Sequence, residues 1–227
     1  MGFIPVFLEA ADLRVMVIGG DEIAEERARM LVAAGARVTL VSPSVTPALE
    51  ALVAQGRVDY QPREFRTGDL DGFALAYCTL NDERLTRAIA AEARAINVPL
   101  NVTDDPALCS FIVPAVVKRG ALEVAISTSG ASPALARMLR EEIGESLGPE
   151  YETLVRILGA ARPRLRELSA DAATRSAIAR ELARGLRDAL VRRDGEAAEQ
   201  IVRRLLGVSL SALSGAPETR PAGSIIK

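Results

Sequence analysis

The first hundred residues alternate short β-rich runs with segments of helical period, and this constrains the fold more than any other feature. Arg14–Gly19 is β-rich, and Asp21–Ala34 follows with helical spacing that lets Ile23, Met30, Leu31 and Ala34 share a face. Arg37–Val41 reads as a second strand and Thr46–Ala54 as a second helix. Val58–Gln61 is a weaker third strand, Phe73–Cys78 a fourth, Asp82–Ile96 a third helix and Val98–Val102 a fifth strand. Strands separated by helices of this length imply a parallel sheet with crossover helices, an α/β fold.

The pattern then changes. Phe111–Val117 and Leu122–Ser127 are β-rich and flank Lys118–Arg119–Gly120–Ala121, which predicts an antiparallel hairpin, with Pro114 arguing for an edge position or a bulge. Beyond Ser129 the periodicity is helical. Ser132–Pro133 is a strong helix start, Leu135, Leu139, Ile143 and Leu147 recur every fourth residue, and Gly148–Pro149 breaks the run. Three further helices are expected over Tyr151–Leu168, Asp171–Leu190 and Glu196–Leu206. The expected organisation is a parallel-sheet domain over 1–112, a hairpin–helix region over 113–148, a helical region over 149–208 and a disordered tail over 209–227, rich in Pro, Gly and Ser.

Composition removes several function classes. A formal net charge of −2 gives no bulk electrostatic reason to expect a nucleic-acid partner. No apolar run reaches membrane-spanning length and no secretory leader is evident, so a cytoplasmic protein is expected. The chain has no histidine, which leaves general acid–base chemistry to carboxylates, Lys, Tyr or a thiol. The two cysteines, Cys78 and Cys109, are too few for a familiar zinc site, no metal ligand set is expected, and Cys78 reads as core.

Gly19–Gly20–Asp21–Glu22–Ile23–Ala24 lies where the first strand hands over to the first helix, the setting of the Rossmann dinucleotide fingerprint. Gly19 permits the tight turn, Ala24 lets the helix pack closely, and N–H groups at the helix start can face a pyrophosphate. The fingerprint's second glycine is replaced by Asp21. A carboxylate about 4 Å from a phosphate charge costs roughly 4 kcal/mol at an effective dielectric near 20 and about 1 kcal/mol in water. An ordinary strand–helix turn would carry the same residues, so the turn alone leaves both readings open. Ser42 stands where an acidic residue usually grips the adenosine ribose, giving little discrimination between NAD and NADP.

The order of segments is more specific than any one of them. Phe3–Leu8 leads into the glycine turn. Ala24–Arg29 and Ala34–Thr39 follow, then Asn101–Pro106, Ser110–Ala115 and Ser127–Arg137. Together these resemble the precorrin-2 dehydrogenase/sirohydrochlorin ferrochelatase family, which includes the N-terminal part of bacterial sirohaem synthase, over about residues 2–206. The resemblance implies a Rossmann domain, a small central dimerisation region containing the hairpin, a C-terminal helical region and a homodimer. It implies oxidation of precorrin-2 to sirohydrochlorin with NAD as hydride acceptor, and in some members insertion of ferrous iron. Asp104, the Asp of the Asn-Val-x-Asp-x-Pro segment, is the residue it associates with catalysis.

From the residues alone, Asp104–Asp105–Pro106 reads first as a turn, since Asp before Pro favours one, and it is the resemblance that points to catalysis at Asp104. A partly buried carboxylate there would suit a general base. Expected cofactor contacts are Gly19, Gly20, Asp21, Glu22, Ile23, Ser42, Thr79 and Asn81. Expected substrate contacts are Asn101, Ser127, Thr128, Ser129, Gly130 and Ser132, whose hydroxyls and N–H groups at a helix start can hold a carboxylate, although a well-capped helix needs the same residues. Arg156, Arg162, Arg164 and Arg166 could attract a polycarboxylate through their summed field, or simply solvate a helix surface. The alternatives are a sirohydrochlorin ferrochelatase without efficient dehydrogenase activity and a non-enzymatic nucleotide-sensing module.

Overall fold

A computed structural model describes residues 2–214. The fold separates after Val113 into two compact units.

In the first unit, β1 (Arg14–Ile18), β2 (Arg37–Val41), β3 (Val58–Gln61), β4 (Leu75–Cys78) and β5 (Leu100–Val102) form one parallel sheet in the order β3-β2-β1-β4-β5. Helices α1 (Glu22–Ala34), α2 (Pro47–Ala54) and α3 (Glu83–Ala95) make crossovers. β1 is buried over Val15–Ile18, as expected of a strand covered on both faces. Val15 and Val17 join one core with α1, while Met16 and Ile18 join a second with Ile89, Ala90 and Ala93 of α3. The strand order reverses between β1 and β4, which makes the carboxyl ends of those two strands the switch point where open α/β sheets bind ligands.

The expected inner face of α1 is corrected. Ala24, Ala28, Leu31 and Val32 are buried, whereas Met30 and Ala34 are exposed. The packed face is the one shared by Ala24, Ala28 and Leu31 at spacings of four and three, and Met30 lies on the opposite side of the helix.

In the second unit, β6 (Ala115–Arg119) and β7 (Leu122–Ile126) pair antiparallel around a two-residue turn, Gly120–Ala121. The hairpin is as expected, but its first strand starts four residues later, so Lys118 and Arg119 belong to the ladder. The reason lies in the first unit. Phe111 packs edge-on against Tyr77, with ring centroids 5.3 Å apart, and Val113 packs on the same core, so Phe111–Val113 is used before the strand begins. Pro114 thus precedes the strand and interrupts no ladder bond.

Helix α4 (Pro133–Ser146) lies against the hairpin, where Arg119 donates from Nε to the Leu147 carbonyl at 2.7 Å and from Nη2 to the Gly144 carbonyl at 2.6 Å. These bonds satisfy carbonyls left open at the helix C-terminus. Helices α5 (Glu150–Leu168), α6 (Ala172–Val191), α7 (Gly195–Leu206) and α8 (Leu210–Ser214) share one apolar core built on Ile157, Ala161, Leu182, Leu186, Ala198 and Val202. Two expectations change here. The hairpin–helix segment joins the helical segment in one unit, because α4 and α5 both pack on the hairpin strands. Residues 210–214 are helical, with Leu213 buried in the core, so the expected disordered tail is not disordered from 209; residues 215–227 lie outside the described residues.

Candidate functional site

The carboxyl ends of β1 and β4 bring Gly19, Gly20, Asp21 and Thr79 together. Gly19 has φ +125°, and a Cβ there would lie 2.1 Å from Thr79 Oγ1. Gly20 is held from the other side, where a Cβ would lie 1.9 Å from the Ser44 carbonyl oxygen and 2.8 Å from Ser42 Oγ. Thr46 N–H donates to the Gly20 carbonyl at 3.1 Å, fixing the start of α2 to the turn. Both glycines are therefore required by close approach, Gly19 by backbone conformation as well.

Asp21 is the N-cap of α1. Its Oδ1 accepts from Ala24 N–H at 2.8 Å and from the Thr79 hydroxyl at 2.8 Å. The second bond crosses the switch point and ties the β1–α1 turn to the end of β4. A cap of this kind satisfies one of the four N–H groups that a helix start leaves open. Among the described residues, the N–H groups of Glu22 and Ile23 meet no acceptor. The Glu22 side chain is exposed. Glu25, one turn on, accepts from the Thr46 hydroxyl at 2.8 Å, and that bond, followed by the Arg29 guanidinium, holds its carboxyl below the usual range against desolvation.

The remaining expected cofactor contacts divide. Thr79 is buried at 5% exposure beneath the turn. Ser42 is equally buried and gives its proton to the Ser44 carbonyl at 2.7 Å, while its own carbonyl accepts from the Tyr60 hydroxyl; it shapes the loop after β2. Asn81 is exposed in the loop after β4. A tight strand–helix turn at the switch point with two open N–H groups at the helix start fits a dinucleotide pyrophosphate. The charge of Asp21 opposes it.

Asp104 follows β5, one strand beyond Thr79 on the same sheet edge. The expectation of a partly buried carboxylate is corrected: Asp104 is exposed, with φ +60°. A left-handed Asp is tolerated in tight turns. Asp105 completes the turn, accepting from Ala107 N–H at 3.1 Å. Sequence reasoning missed what holds this loop. Cys109 Sγ accepts from Val102 N–H at 3.1 Å, and its thiol lies 3.2 Å from the Val102 carbonyl and 3.3 Å from that of Asp105. Burial pushes the thiols of Cys109 and Cys78 up, so neither is a ready nucleophile. The signal for Cys109 was its place seven residues past Val102, where a returning chain can pair with the strand it has left. Asn101 donates from Nδ2 to the Phe111 carbonyl at 3.0 Å, a bond that aligns the returning segment with β5.

The Ser127–Ser132 loop belongs to the second unit. Ser132 Oγ caps α4, accepting from Leu135 N–H at 3.2 Å. Thr128 Oγ1 accepts from Ser132 N–H and donates to the Ser132 carbonyl, and Ser127 Oγ accepts from Ser129 N–H. Ser129 (φ +54°) and Gly130 (φ +84°) form an exposed left-handed crest. Of the arginines noted from sequence, Arg164 pairs with Glu167 and donates to the Leu206 carbonyl. Arg162 and Arg166 line an open cavity of about 370 Å³ with Arg175. Among the described residues there is no metal-binding cluster of His, Cys, Asp or Glu, and no helix is long and apolar enough to cross a membrane.

Comparison with known proteins gives this geometry its family context. An NAD(P)-binding family matches residues 6–115, and the sirohaem biosynthesis protein central family matches residues 119–146. The siroheme synthase of Methylobacillus flagellatus is 42% identical over 154 residues, 68% of this chain and 33% of that protein. The siroheme synthase of Stutzerimonas stutzeri is 35% identical over 215 residues, 94% of this chain and 46% of that protein. The chain thus spans less than half the length of these relatives. Among solved structures, SirC, a precorrin-2 dehydrogenase, superposes with a TM-score of 0.70 at 24% identity, covering 88% of this chain and all of that one, which is a likeness of fold. With both matched segments in the expected order on the expected architecture, the chain belongs to the sirohaem synthase family, in its NAD(P)-binding and central regions.

Proposed function

We propose that this chain oxidises precorrin-2 to sirohydrochlorin, with NAD as hydride acceptor, on the carboxyl edge of its parallel sheet. The observation that carries the reading is the tight glycine turn at the switch point, closed on its inner sides by Thr79 and Ser44, with the N–H groups of Glu22 and Ile23 left open at the start of α1. Backbone N–H groups of Glu22 and Ile23 hold the pyrophosphate, Gly19 and Gly20 form the tight turn that sets them at the switch point, and Thr79 and Asn81 border the crevice at the end of β4. When bound, the nicotinamide supplies the acceptor for a hydride leaving a substrate carbon. The reaction also releases one proton, and Asp104 is the base assigned to it: no histidine exists, and Asp104 stands one strand from the switch point in a turn that leaves its carboxylate accessible. Asn101 acts on the substrate indirectly, by fixing the loop that carries Asp104. Ser127, Thr128, Ser129, Gly130 and Ser132 hold substrate carboxylates at the neutral start of α4.

NAD is preferred over NADP. The segment Ser42–Pro43–Ser44 carries no cation for a 2′-phosphate, and Arg63, beyond the end of the adjacent β3, is clamped by Asp69 through bonds of 2.6 and 2.8 Å. The protein is a cytoplasmic homodimer in this reading, with Val116 of β6 and Leu135 and Met138 of α4 as the exposed apolar residues available to a second copy. Asp21 favours a second reading, in which oxidation is inefficient and the chain chiefly loads ferrous iron into sirohydrochlorin.

One assay separates the two. Precorrin-2 and NAD are supplied while NADH and sirohydrochlorin absorbance are followed; sirohydrochlorin and ferrous iron are then supplied alone. Oxidation supports the first reading, and metal insertion without oxidation the second. Asp104→Asn, which tolerates the left-handed backbone, is expected to cut turnover at least 100-fold, within the usual range for loss of a general base, with an unchanged Tm. Near-normal turnover removes Asp104 from the mechanism.

A further inference from the structure

We propose that Asp21 is a built-in anion that sets how weakly this chain holds a dinucleotide. The inference rests on the NAD reading above and deepens it. Three observations converge. The Asp21 carboxylate is fixed at the α1 N-terminus by two 2.8 Å bonds, to Ala24 N–H and Thr79 Oγ1. It therefore cannot swing freely to solvent without leaving the buried Thr79 hydroxyl without its acceptor. Gly19 is what admits Thr79, since a Cβ there would overlap its Oγ1. The same glycine turn that sets the start of α1 at the switch point thus also locks a negative charge there.

The capping geometry leaves the Glu22 and Ile23 N–H groups open, so Asp21 opposes the phosphates by charge and not by occupying every donor. Glu22 and Glu25 in the same first turn, and Glu26 behind them, carry the same sign; Arg29 and Arg27 pair with Glu25 and Glu26 and leave Asp21 uncompensated by either. The consequence is a cofactor affinity lowered by charge, which ionic strength modulates.

Binding of NAD and of ADP-ribose to the full chain is measured by calorimetry at 50 and 500 mM salt. Wild type is compared with Asp21→Asn and Asp21→Ser, both neutral residues that cap helices well. At low salt each variant is expected to bind both ligands at least five-fold more tightly, the factor that two unit charges some 4 Å apart in water amount to. The gain should shrink at high salt, which a merely structural effect of the substitution would not produce. Equal or weaker binding in both variants, with Tm retained, overturns the role of Asp21 and leaves the NAD reading standing. Absence of binding to wild type and both variants at millimolar ligand overturns the NAD reading and this inference together.

Discussion

The starts of α1 and α4 are built on the same local rule and end in different chemistry. Each has an extended N-cap residue whose side chain accepts from the N–H three residues on, Asp21 from Ala24 and Ser132 from Leu135. Asp21 lies at the carboxyl edge of a parallel sheet, takes a bond from Thr79 just past β4 and brings a full negative charge. Ser132 lies on an exposed loop, is stitched by its neighbour Thr128 and is neutral. A helix start attracts anions through its open N–H groups and dipole. What decides whether a ligand anion can use it is the charge already present at the cap, and that differs here.

The largest test of the contrast is Gly20→Ala. Its Cβ would overlap the Ser44 carbonyl, a backbone atom that cannot rotate away. A loss of about 3 kcal/mol is expected in chemical denaturation, with NAD binding abolished. Tolerance of alanine there would mean that the turn is looser than its geometry. Next is Asp21→Ala, which removes the cap and orphans the Thr79 hydroxyl. About 2 kcal/mol should be lost, against about 1 kcal/mol or less for Ser132→Ala, where water can replace the cap. Equal costs at the two sites would erase the distinction between a cap tied into a sheet and a cap on a loop.

The smallest effect concerns pH. Asp171 caps α6, and the Thr174 hydroxyl and N–H hold its carboxyl below the usual range. A depressed folded value contributes stability above the unfolded pKa of about 3.9 and loses it as pH falls. The Tm gap between wild type and Asp171→Ala should be full above about pH 5 and narrow below pH 4. The gap for Ser132→Ala, a cap that does not titrate, should stay flat over the same range. Parallel pH profiles would show that charge is irrelevant to both caps.

Much of this was legible in the chain itself. The strand–helix alternation placed five parallel strands and three crossovers, because burial on both faces demands continuous apolar runs such as Val15–Ile18. Ser132 marked the start of α4 as a cap, and the helices expected from Asp21, Thr46, Asp82 and Asp171 do begin there, each with that residue as its N-cap, a contact between residues three apart. The glycine turn was legible for the same reason. The later start of β6 was not, because Phe111 was claimed by Tyr77, a contact between residues 34 positions apart in sequence. Cys109 as the clamp of the Asp104 loop was missed too, since its partners are backbone atoms and its spacing from Val102 was the one cue.

By itself, then, the sequence determined the elements, their order and the presence of a carboxylate where the fingerprint has glycine, because these follow from periods and spacings within a few residues. Only the tertiary structure decided that this carboxylate is bound by Thr79 across the strand reversal, that Ser42 and Asn101 serve the backbone, and that Asp104 stands exposed. Each of those depends on which strands become neighbours, and strand order is settled by packing over long separations.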